Sequence, residues 1–251
     1  MISTVLFLLV LAGVVPLFLV TLKNVVFKGK WEHVIFFMCL YLPVYITVLS
    51  ISYQTTGSTL VVAVFQYLKE IVLVLALASF IFFQRDIFDY GLRLNIVDKL
   101  FIAFFSLAFL YLLLPLGEAT FVNKLIYLKN SMLMGMLYFF GRNTVFDEDR
   151  TVMLFKCIMG IAVAAFALNI VEKILGVHFQ SFTGYAAFNY AINGMEPSGN
   201  YGLAWTFETQ TTAKRFASFF SDPLELASSC LLGFSAGLIW YLTSKREDAT
   251  I

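Results

Sequence analysis

Lys214-Arg215-Phe216-Ala217-Ser218-Phe219-Phe220-Ser221-Asp222-Pro223-Leu224-Glu225-Leu226-Ala227 is the stretch whose reading decides the fold. It closes the long polar segment of the chain and opens an apolar run from Pro223 to Thr243. A run of about 20 mostly apolar residues is what an α-helix needs to cross the hydrocarbon layer of a membrane. The start of that helix is written locally. Asp222 suits the N-cap, Pro223 the first helical position, and Glu225 stands three residues after Asp222, as in a capping box. The Lys214-Arg215 pair lies just outside the apolar run, at the membrane edge, and helix capping does not account for it.

Composition extends this reading to the whole chain. Of 251 residues 60% are hydrophobic, 28 are Phe and only 13% are charged, against roughly 25% charged in soluble domains. This is the composition of an integral membrane protein. The net charge of +1 gives no bulk field to recruit nucleic acid, so no nucleic-acid partner is expected. Cys39, Cys157 and Cys230 all sit inside apolar runs, which argues against a disulfide framework or a zinc site and for small packing residues. No metal site and no cofactor are expected.

Working back from Pro223, six further spans are expected. They are Ile2–Leu22, Val34–Ser52, a third ending at Phe83, Leu100–Pro115 with a start near Ile96, Phe121–Phe140, and Thr151–Val171. The third is ambiguous. Ile71–Phe83 is short for a span, whereas a start at Leu60 places Lys69 and Glu70 well inside. The expected fold is an all-α polytopic transmembrane bundle, a single domain over residues 1–251 with seven spans and one long outer loop at 175–222. Orientation follows from Lys/Arg bias. Lys23, Lys28, Lys30, Arg85, Arg93, Lys99, Arg142, Arg150, Lys245 and Arg246 fall on one side, which is assigned to the cytoplasm. The N-terminus and the long loop are then outside.

The third, fifth and seventh spans begin on that outer side. Lys69 and Lys129 would lie on the order of 12–14 Å deep along their helices. Ionisable groups at such depth usually face a bundle interior or a wet cavity, although lysines near helix ends also snorkel to the headgroups. Lys124 is open to that second reading, and Lys156 is assigned to it. With Lys214 and Arg215 at the mouth of the seventh span, Lys69 and Lys129 suggest an outward-facing cavity for an anionic group carried by a lipid. Glu70 and Glu225 would partly balance these charges. Arginine stays charged and offers a planar five-donor fork suited to phosphate or pyrophosphate. The long loop carries Tyr201, Trp205 and further aromatics such as Phe179, Phe182, Tyr185 and Tyr190 among glycines, a surface for sugar rings or an interfacial aromatic belt. His178 opens this loop as a lone acid–base candidate. Gly233 and Gly237, four apart, are expected to let another helix approach closely.

The segment Arg215-Phe216-Ala217-Ser218-Phe219-Phe220-Ser221-Asp222-Pro223, entering a membrane helix after an aromatic outer loop, resembles the arginine motif of O-antigen ligases and related polysaccharide polymerases. Lys69-Glu70 is similar to a lysine–acid pair found early in many members. The resemblance implies an inverting glycosyltransferase that uses a polyprenyl-pyrophosphate sugar donor at the outer face of the bacterial cytoplasmic membrane. Such an enzyme needs neither metal nor nucleotide. Arg215 would be the catalytic residue, binding the donor pyrophosphate as charge builds on it. Lys214, Lys69, Lys129, Trp205 and Tyr201 complete the expected substrate site. The expected partners are a polyprenyl-pyrophosphate-linked oligosaccharide, membrane lipid and other polysaccharide-assembly membrane proteins. The chain departs from the family pattern at Leu224-Glu225, where many members have Asn after the proline. Members also usually have ten or more spans, so the chain is expected to be the N-terminal portion of a longer protein. A polymerase is preferred to a ligase because the ligase histidine of a later outer loop is not seen. A flippase for a lipid-linked glycan and a non-catalytic scaffold are the rivals from other classes.

Overall fold

A computed structural model describes residues 2–83, 94–115, 117–199, 207–208 and 214–248. The regular structure among them is helical: α1 (Ile2–Lys28), α2 (Glu32–Thr56), α3 (Thr59–Phe83), α4 (Ile96–Leu113), α5 (Phe121–Asn143), α6 (Glu148–Leu175), α7 (Phe179–Thr183), α8 (Tyr185–Asn193) and α9 (Pro223–Asp248). An isolated antiparallel bridge joins Glu208 to Lys214. Six of these helices, α1 to α4, α6 and α9, are long and apolar enough to cross a membrane. The chain is a multi-pass all-α membrane protein.

Three boundaries settle open points of the sequence reading. Helix α3 starts at Thr59, so Lys69 is ten residues inside it, about 15 Å along the axis. Helix α6 continues past Val171 to Leu175, where Gly176 in the left-handed region (φ 65°) ends it and donates its N–H to Glu172 O. The segment expected as one long loop contains α7 and α8.

The chain divides into two compact units. One comprises Met1–Val20, Phe36–Lys69 and Phe146–Ile251. Its α2 contributes buried Phe37, Tyr41, Val48 and Ile51. Tyr41 stacks on Phe37 with ring centroids 5.2 Å apart, and its hydroxyl donates to Phe65 O of α3 at 2.6 Å. In the same unit α6 and α9 pack along their length. The Lys156 ammonium lies 5.1 Å from the Trp240 ring centre. A Cβ at Gly237 would meet Met159 Sδ at 3.1 Å, and one at Gly233 would overlap the Ala162 side chain. Partner numbers on α9 fall as those on α6 rise, so the pair is antiparallel. The two glycines do admit a neighbouring helix, as expected. Lys156 also has an aromatic partner in Trp240.

The other unit comprises Thr21–Ile35 and Glu70–Val145. Trp31 packs against Phe80, Phe83 and Phe140. Asp98 at the start of α4 accepts a hydrogen bond from Tyr138 at 2.9 Å and pairs with Arg142, both near the end of α5. At the opposite ends Lys124 Nζ donates to Leu114 O at 2.8 Å. Helices α4 and α5 therefore run antiparallel over their full length. Helix α5, expected as the fifth span, is not among the six helices apolar enough to cross, because Lys124, Lys129, Arg142 and three asparagines interrupt it. Its pairing with α4 supplies partners for two of those cations.

Candidate functional site at the start of α9

Pro223 is the first residue of α9, and Asp222 Oδ1 accepts from Leu224 N at 2.5 Å. The expected cap is therefore present. The capping box is displaced by one residue: Glu225 Oε2 accepts from Ser221 N at 3.2 Å and from Ser221 Oγ at 2.6 Å, rather than from Asp222 N. Glu225 is thus occupied by the turn itself.

Upstream of the cap, residues 214–222 form a turn held by side chains from three helices. Ser218 lies at φ 56°, the left-handed region that is costly for a residue with a Cβ. Its backbone N–H donates to Glu172 Oε2 at 2.9 Å, and the other oxygen of that carboxylate accepts from Phe179 N at 2.7 Å. The carbonyl of Phe219 accepts from Thr47 Oγ1 of α2 at 2.7 Å. The carbonyl of Phe220 accepts from Gln180 Nε2 of α7 at 2.8 Å, and the same nitrogen reaches Thr47 Oγ1 at 3.1 Å. Thr183 closes the network by donating to Gln180 Oε1 at 2.8 Å. Glu172, Gln180, Thr183 and Ser218 are all buried. The matched carboxylate, carboxamide and main-chain groups make the turn rigid, because an unmatched polar group is expensive in low dielectric. An apolar cluster of Ala165, Phe220 and Leu226 supports the turn, with Ile161, Phe219 and Cys230 packed against it.

Lys214 and Arg215 stand at the exposed edge of this turn. Lys214 Nζ donates to Gly176 O at 2.6 Å, placing a cation on the carbonyl end of α6, where the helix dipole favours it. The Arg215 backbone N–H donates to Phe207 O at 2.7 Å, and its Nη2 donates to Glu208 O at 3.2 Å. The bond from Nη2 to Glu208 O holds the guanidinium of this exposed residue against the 207–208 segment. Lys69 belongs to the same unit and sits 3.8 Å from the centre of the Tyr45 ring, a cation–π contact. Lys129 belongs to the other unit and forms an ion pair with Glu70 at 3.0 Å. The expected balancing of a deep lysine by Glu70 is thus found for Lys129. Trp205 and Tyr201 lie outside the described residues.

The aromatics of the 175–222 segment have two roles. Tyr185, Phe188 and Phe207 are buried and build the packing under the turn, whereas Phe182 and Tyr190 are exposed. His178 is 1% exposed, with its ring 5.0 Å from Phe207 and 4.9 Å from Phe216. Burial lowers its pKa, and Lys214 pushes it the same way against the opposing effect of Glu208. His178 is therefore a neutral packing residue near pH 7, a correction to its candidacy as an acid–base group at an open site.

Glu172, Gln180 and Thr47 escaped the sequence reading. Glu172 fell outside the expected sixth span, which stopped at Val171. The signal that restores it is Gly176, since a glycine just past an apolar run marks the helix end and places Glu172 in the last turn. No family model, curated protein or solved structure matches the chain, so the resemblance to polysaccharide polymerases and ligases rests on the motif residues themselves.

Proposed function

We propose that this protein is a surface-polysaccharide polymerase that transfers lipid-linked glycan at the outer face of the bacterial cytoplasmic membrane, with its N-terminus outside. The observation that carries the reading is the Arg215–Pro223 turn. It is fixed by buried hydrogen bonds from α2, α6 and α7, yet it presents an arginine at the mouth of a membrane helix. Catalysis by charge stabilisation requires donors that are already in place when charge develops.

In this reading Arg215 binds the pyrophosphate of a polyprenyl-pyrophosphate donor. The acceptor hydroxyl oxygen attacks the anomeric carbon from the opposite side and inverts it. The bond from that carbon to the pyrophosphate oxygen breaks, its electron pair leaves with the polyprenyl pyrophosphate, and the hydroxyl proton passes to a base. Arg215 stabilises the charge gained by the leaving group. Lys214 holds the end of α6 and adds positive potential beside it, and Lys69 is assigned to the substrate site on the strength of the sequence reading. Trp205 and Tyr201 are assigned to glycan contacts on the strength of the sequence reading.

The test is gel analysis of surface polysaccharide from cells carrying Arg215→Ala in the full reading frame, with membrane protein level checked. Loss of long chains with lipid-linked single repeats retained is the expected result. Long lipid-linked chains that never reach their final acceptor would indicate a ligase. An unchanged profile at normal protein level would reduce the motif to a helix cap and headgroup anchor.

A further inference from the structure

We propose that Glu172 is the positioning residue that sets the Arg215 turn, and that it acts as a two-pronged clamp on backbone N–H groups rather than on a side chain. As a statement about activity, this rests on the reading of Arg215 given above.

The argument begins with cost. A carboxylate 3% exposed at the end of a membrane helix is expensive unless its oxygens are well matched. Here both are matched by main-chain donors from different segments: Oε1 by Phe179 N at 2.7 Å and Oε2 by Ser218 N at 2.9 Å. Charge-assisted bonds of this kind are about twice as strong as neutral ones. Only a carboxylate presents two acceptor oxygens in one plane. The carboxamide of Gln would offer one acceptor and turn its NH2 toward the second N–H.

The two N–H groups belong to the elements that shape the site. Phe179 begins α7, whose Gln180 holds Phe220 O. Ser218 is the residue at positive φ, three positions after Arg215. Its hydroxyl oxygen is buried without a hydrogen-bond partner among the described residues, so the clamp takes Ser218 by its backbone. A left-handed residue with a Cβ persists only where its surroundings over-determine it. Glu172 supplies that determination at the main-chain N–H. Ala217, between Arg215 and Ser218, is 1% exposed and is kept under cover by the same turn.

The experiment uses the full chain in cells, with Cys39, Cys157 and Cys230 replaced by Ala and a single cysteine introduced by Ala217→Cys. The probe is a charged methanethiosulfonate reagent. With Glu172 intact the thiol is expected to be protected. Glu172→Gln is expected to raise its modification rate about tenfold or more, since local opening is limited by the bonds it breaks. Glu172→Asp, which keeps the charge but shortens the reach, should fall between the two, and it serves as the test variant if Glu172→Gln does not accumulate in the membrane. In parallel, Glu172→Gln is expected to abolish long polymer as Arg215→Ala does, at normal protein level. A thiol that stays protected in both Glu172 variants overturns the clamp. A thiol that opens while polymer is unchanged overturns its role in positioning Arg215. If Arg215→Ala itself leaves polymer intact, the functional reading falls, and the thiol rates still decide whether Glu172 holds the turn.

Discussion

Gln180→Met is the most direct perturbation of the buried network, because it keeps side-chain length and removes every polar atom. Gln180 is 1% exposed and makes three side-chain bonds, to Phe220 O at 2.8 Å, to Thr47 Oγ1 at 3.1 Å and from Thr183 Oγ1 at 2.8 Å. Two of its partners retain other bonds: Thr47 still donates to Phe219 O at 2.7 Å, and Thr183 to Gln180 O at 3.0 Å. The Phe220 carbonyl loses the side-chain donor that holds it. The buried carbonyl left unmatched costs about 1–3 kcal/mol and the other two bonds lost about 1 kcal/mol each, so the sum is about 3–5 kcal/mol. For a chain of this size that corresponds to a fall in Tm of roughly 6–20 °C. Thermal unfolding in mild detergent, followed by intrinsic fluorescence, measures it. Backbone hydrogen exchange over residues 214–222 locates it, and that segment should exchange faster in the variant. A Tm within about 1 °C of the parent together with unchanged exchange would refute the reasoning.

Other parts of the structure give separate expectations. Gly233→Leu should disrupt the α6–α9 contact, where a Cβ already overlaps Ala162, with an overpacking cost of about 1–3 kcal/mol seen as a lower Tm; Ala162→Gly should partly rescue Gly233→Ala. The Lys129–Glu70 pair should make Glu70→Gln and Lys129→Met each lower the yield of folded protein, while the exchange Glu70→Lys with Lys129→Glu restores it by detergent gel filtration. His178 is held neutral, so its folded pKa lies below the ordinary value of 6.5. The unfolded chain therefore binds the extra proton first, and stability should fall as pH drops below about 6.5 and level off above it. His178→Gln should flatten that part of a Tm-against-pH curve. Lys214→Met removes the cation from Gly176 O and should speed amide exchange in the last turn of α6, with little effect elsewhere.

The spans were legible because hydropathy is a local property: runs such as Ile2–Leu22 and Pro223–Thr243 are written in consecutive residues. The start of α9 was legible for the same reason, since Asp222 and Pro223 act within one turn. Helix α3 was ambiguous because Lys69 and Glu70 interrupt its apolar run. The interruption is tolerated where Lys69 lies over Tyr45 and Glu70 meets Lys129, and neither partner is near in sequence. Long separation also hid the clamp. Glu172 meets Ser218 across 46 positions and Gln180 meets Thr47 across 133, so no window of residues announces either contact. The aromatics of the 175–222 segment looked uniform in sequence, and only packing separates buried Phe207 from exposed Tyr190.

The central claim is glycan transfer at Arg215, and it is tested most directly with purified full-length protein in lipid nanodiscs. The substrate is polyprenyl-pyrophosphate-linked repeat units extracted from native cells in which the gene is deleted. The account predicts chain extension with release of polyprenyl pyrophosphate, retained in the presence of a metal chelator and lost in Arg215→Ala at unchanged folding. Repeat units recovered intact from the wild-type protein, or extended equally by Arg215→Ala, would contradict it.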